Sequence, residues 1–234
     1  MRYILAIDTA GADGSVALAG DGVGLSVEVL PPGGHSEGLT SAAARVLESH
    51  GLTIGDLAAV AASRGPGSFT GLRIGLAWAK GAAWGRSLPL VLVSTHEALA
   101  RGHARSGSMV ATLIPGERGR VEAALWENGT STGPIWGPEQ VEEESVIERV
   151  SEAARARSPG MAAAPLLAPL SAPRLRELLE GDADQTPFAW SSPVLLAPAV
   201  AEIADRLFLA GKTADWADAA PSYSRAPNAR KPSS

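Results

Sequence analysis

The chain has 234 residues, 45% of them apolar, and a formal net charge of −5. That is enough for one large domain or two small lobes with a real core, while the acidic balance argues against a protein that grips nucleic acid alone, since phosphate contacts come from Lys and Arg. No cysteine is present, which excludes disulfides, cysteine zinc sites and a thiol nucleophile.

Residues 2–8 read as a strand ending at Asp8-Thr9. Charge arrives too early there for a signal peptide. The longest uncharged apolar stretch, Gly160 to Leu170, is too short and proline-broken to span a bilayer. A cytoplasmic, soluble protein with no membrane partner is the expectation. A second strand, Ser15 to Ala19, is joined by Asp21-Gly22 to a third, Val23 to Leu30; Asp-Gly is a strong hairpin signal. Pro31-Pro32-Gly33-Gly34 breaks the sheet, and a helix starts near His35-Ser36-Glu37 with Leu39, Ala42, Ala43, Val46 and Leu47 at helical spacing. Gly51 ends it.

Leu57 to Ala62 reads as a buried strand, followed by Arg64-Gly65-Pro66-Gly67-Ser68-Phe69-Thr70-Gly71-Leu72-Arg73-Ile74-Gly75 and a helix running to about Trp84. Strand, Gly-Pro-Gly turn and helix start make a backbone platform whose unpaired N–H groups favour an anion. Ser68 and Thr70 are candidate N-caps. The glycine spacing matches neither the P-loop nor the dinucleotide pattern. Gly71, Gly75 and Ala79 fall four apart, as do Ala77 and Gly81. Each glycine costs about 1 kcal/mol relative to alanine inside a helix, so close approach of another backbone is expected. With Leu72, Leu76 and Ala83 on one side and Ile74, Trp78 and Ala82 on another, the helix is apolar nearly all round. It should be buried on both sides, by its own fold or by a second protein.

A short strand, Leu90 to Val93, completes a β-β-β-α-β-α-β half, the order of the ribonuclease-H-like lobe of actin and sugar kinases. The fold class is therefore α/β, actin-like, with two lobes and mixed central sheets. Residues 1–100 form the first lobe, joined by a returning helix near 193–210. Residues 101–192 form the second, and 211–234 a tail that is partly disordered. In the second half a helix from Thr95 to Ala104 precedes a strand pair, Met109 to Ile114 and Val121 to Trp126, joined by the turn Pro115 to Arg120. A helix Glu142 to Ala156, the stretch Met161 to Leu167, and helices Pro173 to Leu179 and Pro193 to Leu209 follow.

The stretch from Arg64 to Gly81, RGPGSFTGLRIGLAWAKG, resembles the signature of the TsaB (YeaZ) family. Asp8-Thr9 fits that pattern, and Pro221-Ser222-Tyr223-Ser224-Arg225 is similar to its Pro-x-Tyr-x-Arg near the chain end. The resemblance implies a degenerate actin-like scaffold, not itself an enzyme, in threonylcarbamoyladenosine synthesis on tRNA. It implies a TsaD-like transferase as heterodimer partner, a TsaE-like ATPase as third member, a homodimer when alone, and tRNA met only through the complex. It implies no cofactor of the chain's own, leaving ATP a place at the partner interface. Carried over, the partner surface comprises His35, Ser36, Leu39, Ala43 and Leu47 on the first helix, and Phe69, Leu72, Arg73, Leu76, Ala77 and Lys80 on the second. Asp8, Thr9, Gly65, Gly67 and Ser68 are the vestigial nucleotide-facing residues.

Other constellations point nowhere further. His96 and His103 are two helical turns apart, about 10 Å, too far for one metal, and His35 reads as a capping or surface residue. Ser68 lacks a nucleophile elbow and a base. Glu139, Glu142, Glu143 and Glu144 read as a solvated helix start, and Arg101, Arg105, Arg118 and Arg120 as solvated surface, with tRNA contact as the alternative. The competing reading is an active actin-like ATPase or phosphotransferase using Asp8 and the Gly65–Gly71 loop. It needs a second phosphate loop and an adenosine pocket, yet Pro115 and the Gly160 to Ala164 stretch stand in those places. A plain homodimeric interaction module is the third.

Overall fold

Alternation along the first strands builds the first layer. Leu5, Ile7, Val16 and Leu18 face one side, and Ile4, Ala6 and Ala19 the other, as a side-chain period of two demands. The structure, a computed structural model, describes residues 1–31, 33–103, 109–127, 133–157, 165–170, 189–191 and 194–223. Strands β1 (Tyr3–Asp8), β2 (Ser15–Gly20) and β3 (Val23–Val29) form an antiparallel meander. Strands β4 (Leu57–Gly65) and β5 (Leu90–Ser94) add in parallel beyond β1, giving the order β3-β2-β1-β4-β5. Asp21 (φ 48°) and Gly22 (φ 79°) close the β2–β3 turn, the left-handed pair that a two-residue hairpin favours.

Helices α1 (His35–Glu48) and α2 (Phe69–Trp84) cover one face, α1 through Leu39, Ala42, Ala43, Val46 and Leu47 and α2 through Leu76, Ala79 and Ala83. The other face carries α3 (Thr95–Gly102) and the late helix Ala197–Leu209. That late helix is pinned by Arg2, which donates to both carboxylate oxygens of the nearly buried Asp205 at 2.7 and 2.9 Å. Forked, charge-assisted pairs of this kind are among the stronger hydrogen bonds.

The second sheet repeats the first. Strands β6 (Met109–Pro115), β7 (Arg120–Glu127) and β8 (Trp136–Glu142) pair antiparallel, while β9 (Leu166–Pro169) and β10 (Ala189–Trp190) run parallel to β6, in the order β10-β9-β6-β7-β8. The fold is thus a duplicated ribonuclease-H-like, actin-like architecture. Helix α4 (Val146–Arg157) closes one face of this sheet through Val146, Val150 and Ala154. Helix α3 lies between the sheets, with Ala98 and Leu99 on the first and Ala100 against Ala124 and Trp126 on the second. The helix Ala197–Leu209 is α5 below.

Several expectations change. The helix expected from Glu142 starts at Val146; Glu139 and Glu142 lie on β8, and Glu143–Ser145 form a single 3-10 turn. Strand pairing wins there because Val141, in register with Val121, is buried with it in the core, and Arg120 meets the Glu142 carboxylate at 3.0 Å at the exposed end of the ladder. Strand β4 runs three residues past the expected end, to Gly65. Thr70 sits inside α2, and Ser68 is the N-cap, accepting from the Gly71 N–H at 3.2 Å. The expected helix Pro173 to Leu179, the stretch Gly160 to Ala164, Arg105 and the end from Ser224 lie outside the described residues. No helix among the described residues is long and apolar enough to cross a membrane.

Candidate functional site

The glycines of the platform are explained by their neighbours, and those neighbours belong to the chain itself. A Cβ on Gly71 would stand 2.1 Å from the Thr9 carbonyl oxygen, and one on Gly75 would stand 2.2 Å from Thr9 Oγ1. Thr9 Oγ1 in turn donates to the Gly71 carbonyl at 2.8 Å. Gly67, at φ 155°, leaves no room either: its Cβ would lie 2.6 Å from the Ala10 carbonyl, which accepts from the Ser68 N–H at 2.8 Å. The β1–β2 turn therefore sits on the glycine platform. The close neighbour expected for Gly71 and Gly75 is this turn, not a second protein.

Asp8, at the end of β1, is 1% exposed. Its carboxylate accepts a short hydrogen bond from Ser63 on β4 and a longer one, 3.3 Å, from the Ala10 N–H. The crevice beside it has a volume of about 30 Å³ and is lined by Asp8, Asp13, Leu99 and His103 among others. Burial lowers the pKa of the His103 imidazole, so charging it costs more than in water. A wider cleft of about 520 Å³ opens between Ala12, Gly33, Gly67, Ser68, Ile114 and Pro115. Its described lining has room in the range of ligand pockets, roughly 300–1,000 Å³, but includes no Lys, Arg, Asp or Glu. The second-lobe turn is closed on itself, Gly116 N–H to Arg120 carbonyl at 2.7 Å, with Arg118 and Gly119 at φ 58° and 72°. Among the described residues no three His, Asp or Glu side chains converge as a metal site.

The partner-surface candidates separate by burial. Leu39, Ala43, Leu47, Leu72 and Leu76 are all buried within their own lobe, which corrects their place on an interface: they fill the core beneath it. Leu76 packs on the α1 side and Leu72 in the cluster on the opposite face. Ser36, Phe69, Arg73 and Ala77 are exposed and Lys80 is half-buried; His35 opens α1. Helix α2 is therefore covered by its own fold on one side only, which leaves the second-protein branch of the expectation for its other side. Its outer face runs Phe69, Arg73, Ala77, Gly81 and Trp84, with Phe69 48% and Trp84 70% exposed. A Cβ on Gly81 would meet nothing within 4 Å. Trp78 Nε1 reaches across to Thr40 Oγ1 at 2.9 Å, so α1 and α2 present one continuous surface.

With that geometry in view, comparison with known proteins is decisive for family. The family model described as TsaD, tRNA N6-adenosine threonylcarbamoyltransferase, matches residues 32–162, more than half of the chain. The Escherichia coli protein named tRNA threonylcarbamoyladenosine biosynthesis protein TsaB is 37% identical over 150 residues, 60% of this chain and 64% of that relative. The chain belongs to this family, and within it to the TsaB proteins. The Caulobacter vibrioides tRNA N6-adenosine threonylcarbamoyltransferase is 35% identical over 112 residues, 44% of this chain and 29% of that relative. The matches thus span less than two thirds of these relatives' own length. Among solved structures, YeaZ from Pseudomonas aeruginosa superposes with a TM-score of 0.74 at 24% identity, covering 95% of this chain and all of that one. That likeness concerns the fold.

Two features beyond the TsaB signature shape the same surface. The segment after α5 runs along the β5 edge, with Ala214 N–H to the Leu90 carbonyl at 2.8 Å and Trp216 Nε1 to the Leu88 carbonyl at 3.1 Å. It ends on α2, where Lys80 Nζ donates to the Ala219 carbonyl at 3.0 Å and Arg73 Nε to Tyr223 Oη at 2.9 Å. Sequence reasoning placed Pro221-Ser222-Tyr223 only by motif and passed over Trp84; its fifteen-residue spacing from Phe69, four helical turns, was the available signal. Elsewhere, His96 is buried between α3 and β6, with Nδ1 2.8 Å from Thr112 Oγ1 and Nε2 3.3 Å from Glu122. Trp126 Nε1 also donates to Thr112, at 3.0 Å, so this network ties α3 to the second sheet. Of the arginine group, Arg101 pairs with Glu202 and Arg120 with Glu142.

Proposed function

We propose that this chain is a non-catalytic subunit in the formation of threonylcarbamoyladenosine on tRNA, and that it acts by docking a TsaD-type transferase through the outer face of α2 with α1 beside it. The observation that carries the reading is the division of α2. Its platform glycines are filled by Thr9 and Ala10 of the same chain, and its outer face leaves Phe69, Ala77, Gly81 and Trp84 open. Of the platform N–H groups, that of Ser68 is taken by the Ala10 carbonyl and that of Gly71 by the Ser68 side chain, which weakens the loop as a phosphate cradle. An exposed apolar face with small residues at its centre admits a second helix at short distance. The shared family of TsaB proteins and transferases supports the partner, because the family model described as the transferase matches residues 32–162, the stretch that holds α1 and α2. On this reading the TsaE-like ATPase joins the assembled pair, nucleotide belongs to the assembly, and tRNA is met through the transferase.

The test is reconstitution of the modification with purified transferase, its threonylcarbamoyl donor and tRNA, with and without this chain. The expected result is product only, or far faster, with both proteins, and no ATP turnover by the chain alone. Equal product without the chain, or turnover by the chain alone that Asp8→Asn removes, would overturn it.

A further inference from the structure

Arg73 stands between Phe69 and Ala77 on the open face of α2, and it is not a loose surface side chain. Its guanidinium lies 3.7 Å from the centroid of the Phe69 ring and 5.9 Å from that of Tyr223, while Nε donates to Tyr223 Oη at 2.9 Å. The two rings are 5.1 Å apart and tilted by 32°. Tyr223 is itself held. The Ser222 N–H donates to the Arg64 carbonyl at 2.6 Å, and Gly65, at φ 107°, has no Cβ because one would stand 2.2 Å from the Ser222 carbonyl oxygen. The segment through Tyr223 is thus keyed into the platform, and it fixes Arg73. Among the described residues no acceptor meets the two Nη groups.

We infer that Phe69 and Tyr223 form a clamp that presents the Arg73 fork to a carboxylate on a helix of the transferase partner, so that Arg73 anchors the interface. The inference rests on the docking proposed above and names its chemistry. Charge favours it: α2 carries no Asp or Glu, and its other cation, Lys80, is engaged by Ala219. The complement to this face is a helix with an acidic side chain opposite Arg73 and small or apolar residues opposite Ala77 and Gly81. A planar guanidinium suits a carboxylate with two parallel hydrogen bonds. Stacking it in the free protein removes the ordering cost that a mobile arginine meets on binding, and arginines and aromatic residues of this kind are typical interface anchors.

The experiment is a titration of the full chain with the transferase from the same cell, at several salt concentrations, for wild type, Arg73→Gln, Tyr223→Phe and the double variant. Arg73→Gln should weaken binding by about tenfold or more, as an anchor does, and remove most of the salt dependence. Tyr223→Phe, which keeps the ring and loses the acceptor, should weaken it by a smaller factor, and should add little once Arg73 is gone. If wild type binds and Arg73→Gln binds equally well with the same salt slope, the clamp is overturned while the docking proposal stands. If the Tyr223→Phe effect persists in full in the Arg73→Gln background, Tyr223 meets the partner independently and the clamp is overturned as well. No binding by wild type removes both. Arg73-dependent, salt-dependent self-association without the transferase would assign the carboxylate to a second copy and overturn the assignment.

Discussion

The two sides of α2 carry the same kind of residue for opposite ends. On the inner side, Gly71 and Gly75 are glycine because Thr9 occupies the space a Cβ would need, at 2.1 and 2.2 Å. On the outer side, Gly81 is glycine with nothing within 4 Å. The first two serve the monomer, since alanine there would collide with the β1–β2 turn. The third costs helix propensity, about 1 kcal/mol relative to alanine, with no packing return among the described residues. A single sequence shows three glycines on one helix; only the neighbours separate the two that pack the fold from the one that the fold leaves open.

Substitutions on the two sides should therefore diverge, and the inner ones should have the larger effect on the fold. Leu76→Glu, which from sequence reads as an interface probe, places a carboxylate at a position only 3% exposed. An unpaired buried charge costs several kcal/mol, so the expected outcome is loss of the cooperative thermal transition in circular dichroism. Gly71→Ala forces a methyl group into the Thr9 carbonyl, and overpacking of this kind costs about 1–3 kcal/mol; urea unfolding should show a lowered midpoint with an unchanged slope. Ser68→Ala removes the cap that accepts from the Gly71 N–H, worth about 1 kcal/mol, again with a lowered midpoint. A Gly71→Ala protein as stable as wild type would blur the distinction between the two sides.

Much of this was legible in the residues. The strand pattern of the first half, the Asp-Gly hairpin and the helix ending at Trp84 follow from periodicity and turn chemistry, and they fix the first lobe with Asp8 at a strand end. The signature from Arg64 to Gly81 gave the family. The second half was less legible for physical reasons. Strand β8 contains Gly137, Pro138 and two glutamates, lacks clean alternation, and is defined by its register with β7, where Val141 is buried with Val121. Strand β10 is two residues long. The inward and outward faces of α2 were hidden because Leu72, Ile74, Leu76 and Trp78 leave little amphipathic contrast. Its orientation is set by long-range contacts to Thr9 and Tyr223.

The central claim is that the outer face of α2 docks the transferase, and Gly81→Leu tests it most directly. Leucine is a better helix former than glycine, by somewhat under 1 kcal/mol, and the space around position 81 is open, so the fold should be as stable as wild type or slightly more so. A side chain there blocks close approach of a second helix. Size-exclusion chromatography with light scattering on mixtures with the transferase should show a one-to-one complex for wild type and two separate species for Gly81→Leu, with unchanged circular dichroism. A Gly81→Leu protein that forms the complex as tightly as wild type would contradict the account.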